Sequence, residues 1–176
     1  MASYTLADGT VPHVKGALKA VNHLLTALES HSSSDPSSLL QARLAPDMLP
    51  FTFQVAVVCD TAAKLLARLQ GVDPAAAAPF DEIKTVADAR ARVDAALALV
   101  ESADVAAIAA RADETVSFGM GRGKPDAVVK AREYAAGYSL PNLFFHTVTA
   151  YAILRKEGVV IGKQDYQQWF LGPYLS

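Results

Sequence analysis

Apolar residues recur along this chain at spacings of three and four, a period that predicts amphipathic helix over most of its length. Over residues 11–31, Val14, Leu18, Val21, Leu25 and Leu28 fall on one face, while Lys15, Lys19, Asn22 and Glu29 lie largely off it. The polar run 32–38 reads as a connection, and a short helix is expected over 39–43. A second long helix begins near Pro50 and stops before Gly71, with Phe51, Val55, Val58, Ala62, Leu65 and Leu69 as its buried stripe. Residues 72–81, rich in alanine and broken by Pro74 and Pro79, are too long a link for adjacent antiparallel helices. They predict a crossover along the bundle.

A third long helix is expected over 85–101, with Val86, Val93, Leu97 and Val100 inward and Asp88, Arg90, Arg92 and Asp94 mostly solvated. The pattern weakens over 103–124. Residues 103–111 suit a helix, 115–118 an extended segment and 119–123 a glycine-rich loop. A short helix over 126–136, stopped by Gly137, then precedes a last long helix that starts at Pro141 and ends at Gly158. The tail, 159–176, carries Ile161, Tyr166, Trp169, Phe170 and Leu171, and is expected to dock on the bundle. The fold class is all-α, in one domain over residues 1–176.

Composition narrows the function classes. Hydrophobic residues make up 52% and charged residues 19% of the 176 positions, enough apolar surface for a folded core. The net charge is −2 with no basic stripe, which argues against nucleic acid as a partner. The two most apolar stretches, 48–59 and 140–154, fall short of the ~20 residues a bilayer span needs. No secretory signal opens the chain, and its single cysteine, Cys59, forms no intrachain disulfide, so a cytoplasmic location is expected.

Candidate chemistry concentrates on the last long helix. Asn142, His146, Thr149 and Ile153 share one face, and the apolar positions opposite them predict a helix buried nearly all round. A histidine so placed needs a partner for each ring nitrogen. Gln54, bordering the stripe of the second long helix, can meet Asn142 and His146 at one end of the bundle. One imidazole and two neutral amides are a poor donor set for zinc, whereas a hydrogen-bonded cluster or small-ligand pocket suits them. Other signals are weaker. The run Gly119-Met120-Gly121-Arg122-Gly123-Lys124 lacks the first glycine and the Ser or Thr of a phosphate loop. Asp60 and Lys64 suit a helix-face ion pair, Cys59 suits inert packing, and His13 and His31 suit the surface.

Several segments resemble an uncharacterised family of the DinB-like superfamily. They are Leu44-Ala45-Pro46-Asp47-Met48, Phe53-Gln54-Val55, Cys59-Asp60, Pro141-Asn142-Leu143-Phe144-Phe145-His146, Thr149-Ala150-Tyr151, Ile153-Leu154-Arg155 and Gly158-Val159-Val160-Ile161-Gly162-Lys163. Tyr4, Val11-Pro12, Gly16, Leu18 and His23-Leu24 fit as well, and the likeness lapses mainly over 103–124. The resemblance implies a DinB-like four-helix bundle with a crossover between the second and third long helices. It also implies a divalent-metal site of three histidines, at positions that correspond to Gln54, Asn142 and His146 here. Only His146 keeps a histidine, so a single metal ligand remains. Tyr4, Tyr138 and Tyr151 lie in matching segments and are candidates to line the pocket. The expected function is a non-catalytic bundle binding a small molecule or a partner near His146. The alternatives are a metal-dependent enzyme using His146, or a structural protein that forms a homodimer.

Overall fold

The first helix opens at a capping box. The Thr5 hydroxyl accepts from the Asp8 N–H at 3.2 Å, and the Asp8 carboxylate accepts from the Thr5 N–H at 2.9 Å. Helix α1 therefore spans Leu6–Glu29, starting before its apolar stripe begins. Pro12 lies inside it and has no N–H to offer the Asp8 carbonyl; the Tyr4 hydroxyl donates to that carbonyl instead, at 3.2 Å. In this computed structural model the described residues are 4–31, 35–75, 82–121 and 123–175. The expected connections over 32–38 and 72–81 thus fall partly outside the described residues, as does Arg122 of the expected glycine-rich loop.

Asp35 caps a short helix, α2 (Pro36–Gln41), which sits earlier than the apolar pair Leu39-Leu40 suggests. Helix α3 (Phe51–Gln70) ends at Gly71, whose φ of 74° lets the chain leave in the left-handed conformation. Helix α4 (Val86–Glu101) starts at a second capping box, between Thr85 and Asp88. It buries Ala89, Val93, Ala96 and Val100, so alanines share the inward stripe. After α5 (Val105–Ala110) come strands β1 (Thr115–Phe118) and β2 (Ala127–Lys130), antiparallel, with Val116 opposite Val129 and Phe118 opposite Ala127. The extended segment at 115–118 is therefore present.

The expected helix over 126–136 is corrected. Residues 127–130 pair as a strand, and helix begins only with α6 (Ala131–Tyr134). Gly137 does not stop it. A π turn (Ala135–Ser139) carries the chain directly from α6 into α7 (Leu140–Lys156). Within an α-helix Pro141 would clash with the carbonyl four residues back, and the widened turn just before it makes room. Helix α8 (Lys163–Leu171) and a 3-10 turn (Gly172–Tyr174) complete the described chain.

The helix directions follow from side-chain pairs. Lys15 meets Glu101 at 3.3 Å and Asn22 meets Arg90 at 2.8 Å, so α1 and α4 are antiparallel. Asp60 meets Arg92 and the Gln70 Oε1 meets the Asp104 N–H, both at 2.8 Å, so α3 and α4 run the same way. That parallel pair is the crossover between the second and third long helices. Gln54 faces His146 and Thr61 faces Asn142, so α3 and α7 are antiparallel. Each of α1 and α3 packs on both α4 and α7, closing a four-helix bundle around Leu18, Leu25, Val55, Val58, Leu65, Val93, Leu143 and Ile153.

Helix α8 docks on α1, as the apolar tail requires. A Cβ on Gly16 would stand 2.7 Å from the Phe170 ring, so the missing side chain is what admits the tail at that spacing. His23 meets Asp165 at 2.7 Å across the same contact. No helix among the described residues is long and apolar enough to cross a membrane.

Candidate functional site

Gln54 and His146 form the first half of the site. Gln54 is buried one turn into α3, and its Nε2 donates to the Leu49 carbonyl at 2.9 Å. This bond turns Oε1 toward α7, where it accepts from His146 Nδ1–H at 2.7 Å. With the proton fixed on Nδ1, the imidazole presents Nε2 as a lone pair. Phe53 and Phe145 set their rings edge-on to the imidazole, with centroids 6.1 and 5.2 Å away. Burial holds His146 below its ordinary value of 6.5, so the ring is neutral at pH 7.

Helix α7 is not buried all round. Phe145 is 59% exposed and Val148 46%, on the outer side of α7, while Phe53 of α3 is 39% exposed. The four-residue step from Pro141 to Phe145 continues to a solvent face that the apolar composition concealed, because α7 packs chiefly on α1 and α3 among the long helices.

Asn142 belongs to a different place. Its Nδ2 donates to Thr61 Oγ1 at 3.0 Å, and both residues line a cavity of about 390 Å³ between α3, β1 and the π turn. Val57, Asp60, Lys64 and Arg68 form the α3 wall; Phe118, Tyr134 and Tyr138 form the opposite one. The π turn keeps Tyr134 and Tyr138 on the same side, their rings stacked at 5.9 Å, and Phe118 from the hairpin packs on both, at 4.8 and 4.5 Å. Arg68 is anchored among them. Its Nε donates to the Ser117 carbonyl at 2.9 Å and Nη1 to the Tyr134 hydroxyl at 3.1 Å, with the guanidinium 5.3 Å from the Tyr134 ring centroid.

Of the residues singled out from sequence, the structure thus brings Gln54 to His146, and Asn142 and Tyr138 into the cavity one turn away. Tyr4 stands at the start of α1, exposed, bonded to Asp8. Tyr151 is partly buried and packs against the core. The lining residues that sequence reasoning did not place at the site are Val57, Asp60, Thr61, Lys64, Arg68, Phe118, Gly119 and Tyr134. A signal existed: Asp60, Lys64 and Arg68 make a charged row at four-residue steps along one face of α3.

Two pairings differ from expectation. Asp60 bonds Arg92 of α4 at 2.8 Å, not Lys64, and the Arg92 side chain is only 9% exposed instead of solvated. His13 is partly buried, edge-on to Phe144 with ring centroids 6.2 Å apart. Burial pushes the Cys59 thiol up to about 12, which keeps it protonated and unreactive.

The three-ligand metal arrangement implied by the resemblance does not form from these side chains. Gln54 Oε1 is spent on His146 Nδ1 and the Asn142 amide is bonded to Thr61, leaving one imidazole nitrogen. Among the described residues no three His, Cys, Asp or Glu side chains gather where they could hold a metal ion. That donor set does not fit a divalent cation, which takes three or four such ligands.

Comparison with known proteins extends the picture. A family profile described as a domain of unknown function (DUF1993) matches residues 6–167. A solved structure, a DinB family member protein from Shewanella denitrificans, is 35% identical, with a TM-score of 0.81 over 92% of this chain and 90% of that one. No curated protein matches.

Proposed function

Because this chain belongs to the DUF1993 family, a domain of unknown function on a DinB-like helical bundle, we propose that it is a non-catalytic protein that binds a small molecule in the cavity beside Asn142. The observation that carries the reading is the cavity itself. Its volume, about 390 Å³, falls in the range of small-ligand sites. It joins an aromatic wall to a few convergent polar groups, the usual means of combining affinity with orientation. The reading needs no divalent metal. His146 belongs to it as a positioned neighbour: its bond to Gln54 ties α7 to α3 one turn from Asn142.

Native mass spectrometry of the protein as purified from its expression host tests this. A co-purifying small molecule is expected on the wild-type chain and on His146→Ala. It should be absent from Val57→Trp, which fills the cavity from its half-buried α3 wall. A molecule retained by Val57→Trp overturns the assignment, as does a wild-type chain that carries none and takes up none from a metabolite extract.

One observation favours a second role on a separate face. Phe53 and Phe145, whose rings meet the His146 imidazole, are exposed apolar residues, and such a patch suits a protein contact, including a homodimer. Light scattering on the wild type and on Phe145→Asp separates the two states. A dimer lost in the variant supports pairing through this face, and a monomeric wild type contradicts it.

A further inference from the structure

Taking the cavity beside Asn142 as the binding site, the charges in its walls point to the class of ligand. Three side chains that carry charge line it: Asp60, Lys64 and Arg68. Asp60 is already matched by Arg92 at 2.8 Å. Among the described residues Arg68 bonds neutral acceptors, the Ser117 and Lys64 carbonyls and the Tyr134 hydroxyl, and no carboxylate pairs with it. Lys64 is exposed, one turn before it on α3, and no carboxylate pairs with it among the described residues. Two cations at a four-residue step repel each other, and an anion between them removes the repulsion.

Beside these cations stands the ring wall of Phe118, Tyr134 and Tyr138. At the other end, Thr61 and Asn142 offer hydrogen-bonding groups one turn from Lys64. An inorganic anion would satisfy the cations and leave the ring wall without a partner. A neutral aromatic would cover the ring wall and leave the cations unmatched. We propose that the cavity recognises a small aromatic carboxylic acid, its carboxylate between Lys64 and Arg68, its ring against Phe118 and Tyr138, and a polar ring substituent toward Thr61 and Asn142. Asp60, at the Thr61 end, repels the reverse orientation. This rests on the cavity being the binding site, and it adds the charge and shape of what binds there.

Calorimetry with 4-hydroxybenzoate and its neutral isostere 4-hydroxybenzamide is the test, on the wild type, Lys64→Gln, Lys64→Arg and Val57→Trp. Lys64 is the residue to change, because Arg68 also anchors the hairpin and its loss can unfold the wall. The acid is expected to bind the wild type at least about ten-fold more tightly than the amide, the scale of one charge-assisted hydrogen bond. Lys64→Gln should remove most of that preference, Lys64→Arg should keep it, and Val57→Trp should abolish both ligands. Equal binding of acid and amide, both lost in Val57→Trp, overturns the acid and leaves the cavity as the site. Acid binding that survives Val57→Trp overturns both readings. If neither probe binds, the aromatic-acid assignment fails, and the mass-spectrometric test decides the cavity independently.

Discussion

Gln54 and His146 show how a helix-borne imidazole is given a single tautomer. The Leu49 carbonyl orients the glutamine amide, and the glutamine oxygen in turn orients the ring. In Gln54→Leu the Nδ1 proton loses its acceptor, and imidazole ¹⁵N shifts should move from one tautomer to a mixture. A single unchanged tautomer would mean that Gln54 does not set it. Because burial lowers the folded-state pKa of His146, the unfolded chain binds the proton more readily. The corresponding stability is complete above the ordinary value of 6.5 and is lost as pH falls below it toward the folded pKa. Denaturant titrations at pH 7 and pH 5 should therefore show a smaller drop in His146→Gln than in the wild type. From sequence, Gln54, Asn142 and His146 were legible as polar residues on or beside apolar stripes. Gln54 meeting His146 was legible as well, but the departure of Asn142 to Thr61 was not: residues one turn apart on α7 meet different partners on α3, and only the helix-to-helix register decides which.

At the scale of elements, capping and close packing carry the testable consequences. Thr85→Ala removes the hydroxyl that accepts the Asp88 N–H and should cost about 1 kcal/mol of stability, read by chemical denaturation. Gly16→Ala places a methyl where the Phe170 ring now lies. The helix gains propensity, but the tail must shift, at a cost of about 1–3 kcal/mol typical of overpacking. Trp169 fluorescence should then report a more solvated indole, and an unchanged spectrum would mean that α8 does not depend on this contact. The long helices were legible because period and stop residues agree, Gly71 and Gly158 among them. The β2 strand was not. Residues 127–130 carry no alternation strong enough to outweigh their neighbours, and they become a strand by pairing with Thr115–Phe118. The π turn was equally hidden, since Gly137 and Pro141 read locally as a stop and a start.

For the whole molecule, the up-down-down-up arrangement follows from a link too long for a hairpin, which the sequence already carries between Gly71 and Thr85. The cavity is a property of the assembled molecule. It takes one wall from α3, a second from the hairpin and a third from the π turn, segments that no local pattern connects. Two features of that assembly underlie the proposed site: Lys64 and Arg68, with no carboxylate partner among the described residues, and an aromatic wall held by an arginine that the hairpin anchors. If the pair attracts an anion, affinity for 4-hydroxybenzoate should weaken as salt is raised from about 0.05 to 0.5 M, because screening shortens the reach of both charges.

The most direct test of a ligand site beside Asn142 is ¹H–¹⁵N correlation spectroscopy of the labelled protein during titration with a panel of one-ring fragments. Binding in the cavity requires shifts concentrated at Val57, Thr61, Lys64, Phe118, Tyr138 and Asn142, with Phe145 and Val148 unmoved. Shifts confined to the Phe53 and Phe145 face, or none at any residue, would contradict it.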